Sequence, residues 1–157
     1  MKNPVNELIR QVRQLAGFPD AGTALQRICD YLRSEVDHYD WVGYYLAVPG
    51  ERLLVLGPFS GAPTEHLRIP YGRGICGQAA ELDSTFVVPD VTEQENYLAC
   101  SLATKAEIVL PVRHDGEFVA ELDIDSHTRD PFTQEDTVLL EAVCLITAPL
   151  AASILRT

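Results

Sequence analysis

Positive charge is what this sequence has least of. Lys and Arg number 12 against 23 Asp and Glu, which leaves a net charge of −11 over 157 residues. Nucleic acid demands a basic footprint for its phosphates, and an anionic membrane surface repels a chain of this sign. Neither is an expected partner. An apolar leader is also lacking, because MKNPVNELIRQVRQL intersperses charges among its apolar residues. The longest apolar run, Val138–Leu155, carries Glu141 and Pro149 and reads as a core or interface helix rather than a membrane span. The expectation is a cytoplasmic protein. Cysteines are only four, and in a reducing compartment four cysteines read as thiols sooner than as a disulfide framework. His38, His66, His114 and His127 are scattered over loop-like positions, where they read as solvent-exposed. With no His–carboxylate spacing and no acid-rich calcium loop, no metal and no cofactor is expected. Repeats, low-complexity tracts and linkers are missing as well, so residues 1–157 read as one domain.

What is present is an ordinary globular balance, 46% apolar and 22% charged, enough to bury a sizeable core. Asn3-Pro4 supply a cap and a first-turn proline for a helix reaching about Ala16. A second helix, about Asp20 to Val36, places Ala24, Leu25, Ile28, Cys29, Leu32 and Val36 on one face. The period then falls to two: Trp41–Val48 and Arg52–Leu56 are strand-like, followed by a turn-rich Gly57–Pro63. Arg68–Pro70 is a short strand, Ile75–Leu82 a short helix, and Phe86–Val88 another short strand. Thr92–Thr104 reads as a loop with a helical turn around Glu93–Tyr97. Glu107–Arg113 and Phe118–Asp125 form a hairpin through His114-Asp115-Gly116, since Asp-Gly is a strong hairpin signal. Thr133 and Asp136 are spaced as a capping box for a long C-terminal helix. Helices, then antiparallel strands with inserted helical pieces, then a helix: the class is α+β.

Three features carry chemistry. Gly72, Gly74 and Gly77 in YGRGICGQ spell a formal GxGxxG. A dinucleotide site needs a full-length helix after it and an acid about 20 residues on, in a parallel unit. Here the helix is short and the neighbouring hairpins are antiparallel, which argues against a nucleotide. Cys76 falls in the first turn of that helix, where the partial positive charge favours thiolate. A reactive thiol and an inert, partly buried one both remain open. Cys29 and Cys144 lie on apolar helix faces and read as core. Cys100, in a poorly patterned loop with no evident packing role, reads as functional.

The third feature is FVAELDID. Phe118, Ala120, Leu122 and Ile124 point one way, and Val119, Glu121, Asp123 and Asp125 the other. Such a row reads first as a solvated face. Because Glu107 opens the neighbouring strand, it also reads as a cluster for acid–base work, for a ligand's ammonium or, more weakly, for a hard cation.

WVGYYL (Trp41–Leu46), LGPFSG (Leu56–Gly61), RIPYGRGICG (Arg68–Gly77), PDV (Pro89–Val91), Ala99-Cys100 with AEIVLPV (Ala106–Val112), and LDIDS (Leu122–Ser126) occur in order along the chain. Together they resemble the GAF-domain family of free methionine-(R)-sulfoxide reductases, over about residues 5–155. The resemblance implies a six-stranded antiparallel sheet with helices on its faces, N- and C-terminal helices packed together, and a pocket between the sheet and the loop bearing Cys100. It implies Cys100 as nucleophile and Cys76 as its disulfide partner. Glu107, Asp123 and Asp125 would hold the substrate's amino group, and Trp41 and Tyr45 would form the aromatic wall. The expected substrate is free methionine sulfoxide, the reductant thioredoxin or a similar dithiol, and the assembly a homodimer through terminal helices. The sequence departs from the family pattern where His66 replaces a recycling cysteine, and at Tyr97-Leu98, Ser101 and Ala106. A non-catalytic GAF domain that binds or senses a small ligand is the alternative.

Overall fold

The computed structural model describes residues 1–94 and 103–156. Cys100, Tyr97-Leu98 and Ser101 lie outside the described residues, as does most of the helical turn expected around Glu93–Tyr97. Two helices, α1 (Val5–Ala16) and α2 (Ala21–Glu35), precede three strands: β1 (Trp41–Ala47), β2 (Leu53–Ser60) and β3 (Arg68–Pro70). Helix α3 (Gly74–Leu82) and strand β4 (Phe86–Val88) follow, then a 3-10 turn at Val91–Glu93. The hairpin β5 (Ala106–His114) and β6 (Glu117–Ser126) leads into α4 (Gln134–Leu155). The strands form one antiparallel sheet in the order β3-β2-β1-β6-β5-β4. This is the α+β, GAF-like architecture that the resemblance implied.

Period-two alternation divides the core into two layers. Val42, Tyr44 and Leu46 of β1, Ile108, Leu110 and Val112 of β5, and Leu122 and Ile124 of β6 face α1, α2 and α4. Trp41, Tyr45, Ala47 and Val109 face the other way, toward α3. Strand β1 is therefore buried along its whole length. α4 is long and apolar enough to cross a membrane by composition, but here it packs on β5, β6, α1 and α2. Its start is fixed by Asp136, whose Oδ2 accepts the Thr133 backbone N–H at 2.8 Å. Asp136 Oδ1 accepts the Tyr39 hydroxyl at 2.6 Å and meets His38 Nε2 at 2.8 Å, tying the lead into β1 to the helix.

Several local expectations need correction. Pro4 caps α1 from outside instead of opening its first turn, and Asn3 bonds across to Glu35. Strand β2 continues to Ser60: Gly57 and Pro58 mark a bulge opposite Tyr44, not the end of the strand. Strand β6 carries a second bulge, since Ala120 pairs with Val112 but Phe118 pairs with Arg113. Val119 is the extra residue and joins Ala120 on the helical face, while Phe118 turns to the α3 face. His38, paired with a buried carboxylate, is not a solvent-exposed histidine.

Candidate functional site

Helix α3 exists to place its first turn close to the sheet. A Cβ on Gly77 would stand 2.6 Å from the Pro70 carbonyl oxygen, so only glycine lets the helix approach the end of β3 this closely. The Gly72 N–H donates to the Gly77 carbonyl at 2.7 Å, closing the turn on itself. The GxGxxG spacing is thus used in packing the chain against itself, and the strands on either side of it are antiparallel. Cys76 is delivered to the sheet face at 5% exposure, with its Sγ 3.7 Å from Glu107 Oε2.

The acid row is not a solvated face. Glu107, Glu121, Asp123 and Asp125 are each 2% exposed or less. The expectation failed because period two says which side of a sheet a residue takes and nothing of what covers that side; α3 covers this one. Cross-strand register gathers the acids: Glu107 lies opposite Asp125, Val109 opposite Asp123, and on the other flank Gly43 opposite Asp123 and Tyr45 opposite Glu121. Gly43 brings no side chain to the acid row. The Trp41 ring occupies that space, and a Cβ at Gly43 would run into it and lie 2.8 Å from Phe59 Cβ. Trp41 stacks on Phe59 at 5.5 Å and on Tyr45 at 6.4 Å, and its Nε1 donates to the Ala62 carbonyl at 3.0 Å.

A narrow cleft of about 10 Å³, room for about one water, opens here, lined by Tyr45, His66, Ile69, Arg73, Gly74, Ile75, Cys76, Glu107 and Asp123. Four sequence candidates therefore meet at one cavity: Cys76, Glu107, Asp123 and Tyr45. Asp125 and Trp41 stand behind them, Asp125 beside Glu107 and Trp41 against Tyr45. His66 lines the cleft rather than standing in solvent, held by the Tyr45 hydroxyl donating to its carbonyl at 2.8 Å. Arg73 was not among the sequence candidates. It is the side chain at this cleft that carries a fixed positive charge, and it is exposed at the N-cap of α3.

Electrostatics follow from crowding acids in a dry layer. Burial pushes the Glu107 carboxyl well above the usual range, and the charges of Asp123 and Asp125 push it further. Burial raises Asp123 too, but a proton shared with Glu107 and the Cys76 thiol pull it partly back. We place that proton on Glu107. Glu121 is raised well above the carboxylate range by burial, then by Asp123, with the Cys76 thiol pulling it partly back. Among the described residues, no N–H and no Ser, Thr or Tyr hydroxyl reaches the oxygens of Glu121 or Asp123. By contrast Cys29 and Cys144 lie in the helical layer. Burial raises the Cys29 thiol and pushes Cys144 up to about 12, leaving both unreactive.

Comparison with known proteins gives the site a setting. The GAF domain pattern matches residues 20–148. The free methionine-R-sulfoxide reductase of Escherichia coli is 40% identical over 122 residues, 78% of this chain and 72% of that protein. Protein YtsP of Bacillus subtilis is 37% identical over 123 residues, 78% of this chain and 71% of its own length. A free methionine-R-sulfoxide reductase of Neisseria meningitidis, solved with its substrate, superposes with a TM-score of 0.86. It is 33% identical, over 94% of this chain and 89% of that one. Across five curated relatives, these two included, the chain spans 57% to 72% of their lengths.

Proposed function

This chain belongs to the GAF domain family, and we propose that it reduces free methionine-R-sulfoxide to methionine with cysteine thiols. Relatives that carry that activity in their names support the reading. The single observation behind it is the cleft in which the Cys76 sulfur stands 3.7 Å from Glu107, with Asp123 and Tyr45 in the same wall. A free amino acid is a zwitterion. Its ammonium matches Glu107 and Asp123, with Asp125 adding charge from behind; its carboxylate matches Arg73 at the rim. Its tail matches the Tyr45 and Trp41 surface.

In the proposed reaction the Cys100 thiolate attacks the sulfoxide sulfur while the oxygen takes a proton. The protonated oxygen passes to the Cys100 sulfur as the sulfoxide's sulfur–oxygen bond and the transient sulfur–sulfur bond break, methionine leaves, and Cys100 is a sulfenic acid. The Cys76 thiol then attacks that sulfur, releasing water and forming a Cys76–Cys100 disulfide. Thioredoxin or a similar dithiol returns both to thiols, itself becoming a disulfide. The acid layer, where burial keeps carboxyls protonated, is the source of that proton. His66 has no thiol to continue the exchange, so recycling rests on Cys76 alone. A reducing cytoplasm suits this chemistry. We also propose a homodimer through the terminal helices, because α4 leaves Val138 and Leu145 exposed at 47% and 78%. Sedimentation as a monomer at high micromolar concentration refutes the dimer.

The test is incubation with each epimer of free methionine sulfoxide and a dithiol, with methionine measured. Turnover of the R epimer that disappears in Cys100→Ser is the expected result. Tight binding with the sulfoxide recovered unchanged rejects the reductase and leaves a ligand-binding GAF domain.

A further inference from the structure

We propose that Cys76, Glu107 and Asp123 form a binding site for a thiophilic divalent cation, Zn²⁺ being the type case, that excludes the amino acid from the same cleft. The Cys76 sulfur, one Glu107 oxygen and one Asp123 oxygen lie within 4.8 Å of one another, all on buried side chains. In tetrahedral zinc, bonds of about 2.3 Å to sulfur and 2.0–2.2 Å to oxygen set neighbouring ligand atoms roughly 3.5 Å apart. The sulfur–Glu107 separation of 3.7 Å is already close to that value. Small side-chain rotations bring in Asp123.

The second observation is the state of Asp123. It is completely buried, lines the cleft, and has neither oxygen served by an N–H or by a Ser, Thr or Tyr hydroxyl among the described residues. A doubly charged ion supplies the counter-charge that this buried carboxylate lacks. A thiolate with two carboxylates favours a borderline-soft ion over Mg²⁺ or Ca²⁺, which prefer oxygen alone. The three residues leave a fourth position open to the cleft for water. The sequence carried no spacing signal for this site, because its ligands come from α3, β5 and β6 and meet only in the folded sheet.

Binding does not depend on the reductase reading; only its consequence, inhibition competitive with sulfoxide, rests on that reading. The experiment is titration of reduced, metal-free protein with Co²⁺, followed by Zn²⁺. One equivalent of cobalt should give a thiolate-to-metal charge-transfer band that zinc abolishes and that equimolar Mg²⁺ or Ca²⁺ leaves intact. Cys76→Ser should remove the band. Asp123→Asn should weaken binding by more than about tenfold, and Cys100→Ser should keep the band. No stoichiometric cobalt binding, or a band that survives in Cys76→Ser, overturns the proposal. So does a band lost only in Cys100→Ser. A cobalt band in a protein without turnover would retain the metal site and reject the reductase.

Discussion

Glu121 is the least expected side chain in the structure, and replacing it with Leu should stabilise the protein. Its carboxyl is fully buried, lies outside the cleft lining, and has neither oxygen bonded by an N–H or hydroxyl among the described residues. A buried polar group in that position costs about 1–3 kcal/mol relative to one with partners. Leu removes that cost at similar volume, so a gain of about 1–3 kcal/mol is expected near neutral pH. The pH dependence separates this cause from better packing. Burial and the Asp123 charge raise the Glu121 carboxyl well above its unfolded value. Between the two values the folded state holds a proton that the unfolded state has lost, so folding weakens as pH rises. The slope from one such group is about 1.4 kcal/mol per pH unit, zero below the unfolded value and again above the folded one.

The assay is urea denaturation of parent and Glu121→Leu proteins at several pH values between about 6 and 8. The stability difference should widen as pH rises above the unfolded value, until the raised folded value is passed. A variant less stable than the parent, or a difference flat with pH, would refute the claim that Glu121 is a strained, protonated acid. Because Glu121 does not line the cleft, binding of methionine sulfoxide should persist.

Four other outcomes follow from the same geometry. Asp123→Asn should raise KM for the sulfoxide about 10- to 100-fold through loss of a charge-assisted contact of about 1.5–3 kcal/mol, read by steady-state kinetics; an unchanged KM would remove Asp123 from the substrate site. KM for the parent should fall as pH rises above the ordinary carboxylate range, because the raised carboxyls of Glu107 and Asp123 must ionise to take an ammonium; a pH-independent KM contradicts this. Gly43→Ala should displace the Trp41 ring and destabilise by about 1–3 kcal/mol, with a shifted tryptophan fluorescence maximum as the readout. Asp136→Asn should cost about 2 kcal/mol. Although burial opposes it, hydrogen bonds from His38, Tyr39 and Thr133 hold this carboxyl below its usual value, so its contribution is full above the unfolded value and fades as pH falls; a stability loss that is greatest in acid would refute the assignment.

Much of the fold was legible because its signals are local. The apolar face of α2, the Thr133–Asp136 spacing and the Asp115-Gly116 turn each predict an element from a few adjacent residues, and the observed bounds differ by a residue or two. The strands failed where a bulge interrupts the alternation, at Gly57-Pro58 and at Val119, because an extra residue in a ladder is specified by the partner strand. The candidate site was half legible. Period two put Glu121, Asp123 and Asp125 on one face. Their burial under α3, the placement of Gly43 opposite Asp123, and the entry of His66 and Arg73 into the cleft are tertiary facts with no local signature. Cys100 lies outside the described residues, and its role stands on resemblance.

The acid layer also constrains what any ligand must be. Four carboxyls share one dry face of the sheet, and Arg73, the fixed positive charge at the cleft, sits at its exposed mouth. Full ionisation without a counter-charge would cost far more than a domain's net stability supports. The face is thus held by protons when nothing is bound, and each bound positive charge can release one. An ammonium and a divalent cation satisfy the same requirement to different degrees, which is why the amino acid and zinc should exclude each other there. A neutral or anionic ligand would leave the protons in place and gain nothing from Glu107 or Asp123. N-acetylation of methionine sulfoxide removes the one charge the layer is built to receive while leaving the reacting sulfur unchanged, so discrimination against that derivative reads the acids directly, apart from the thiol chemistry above them.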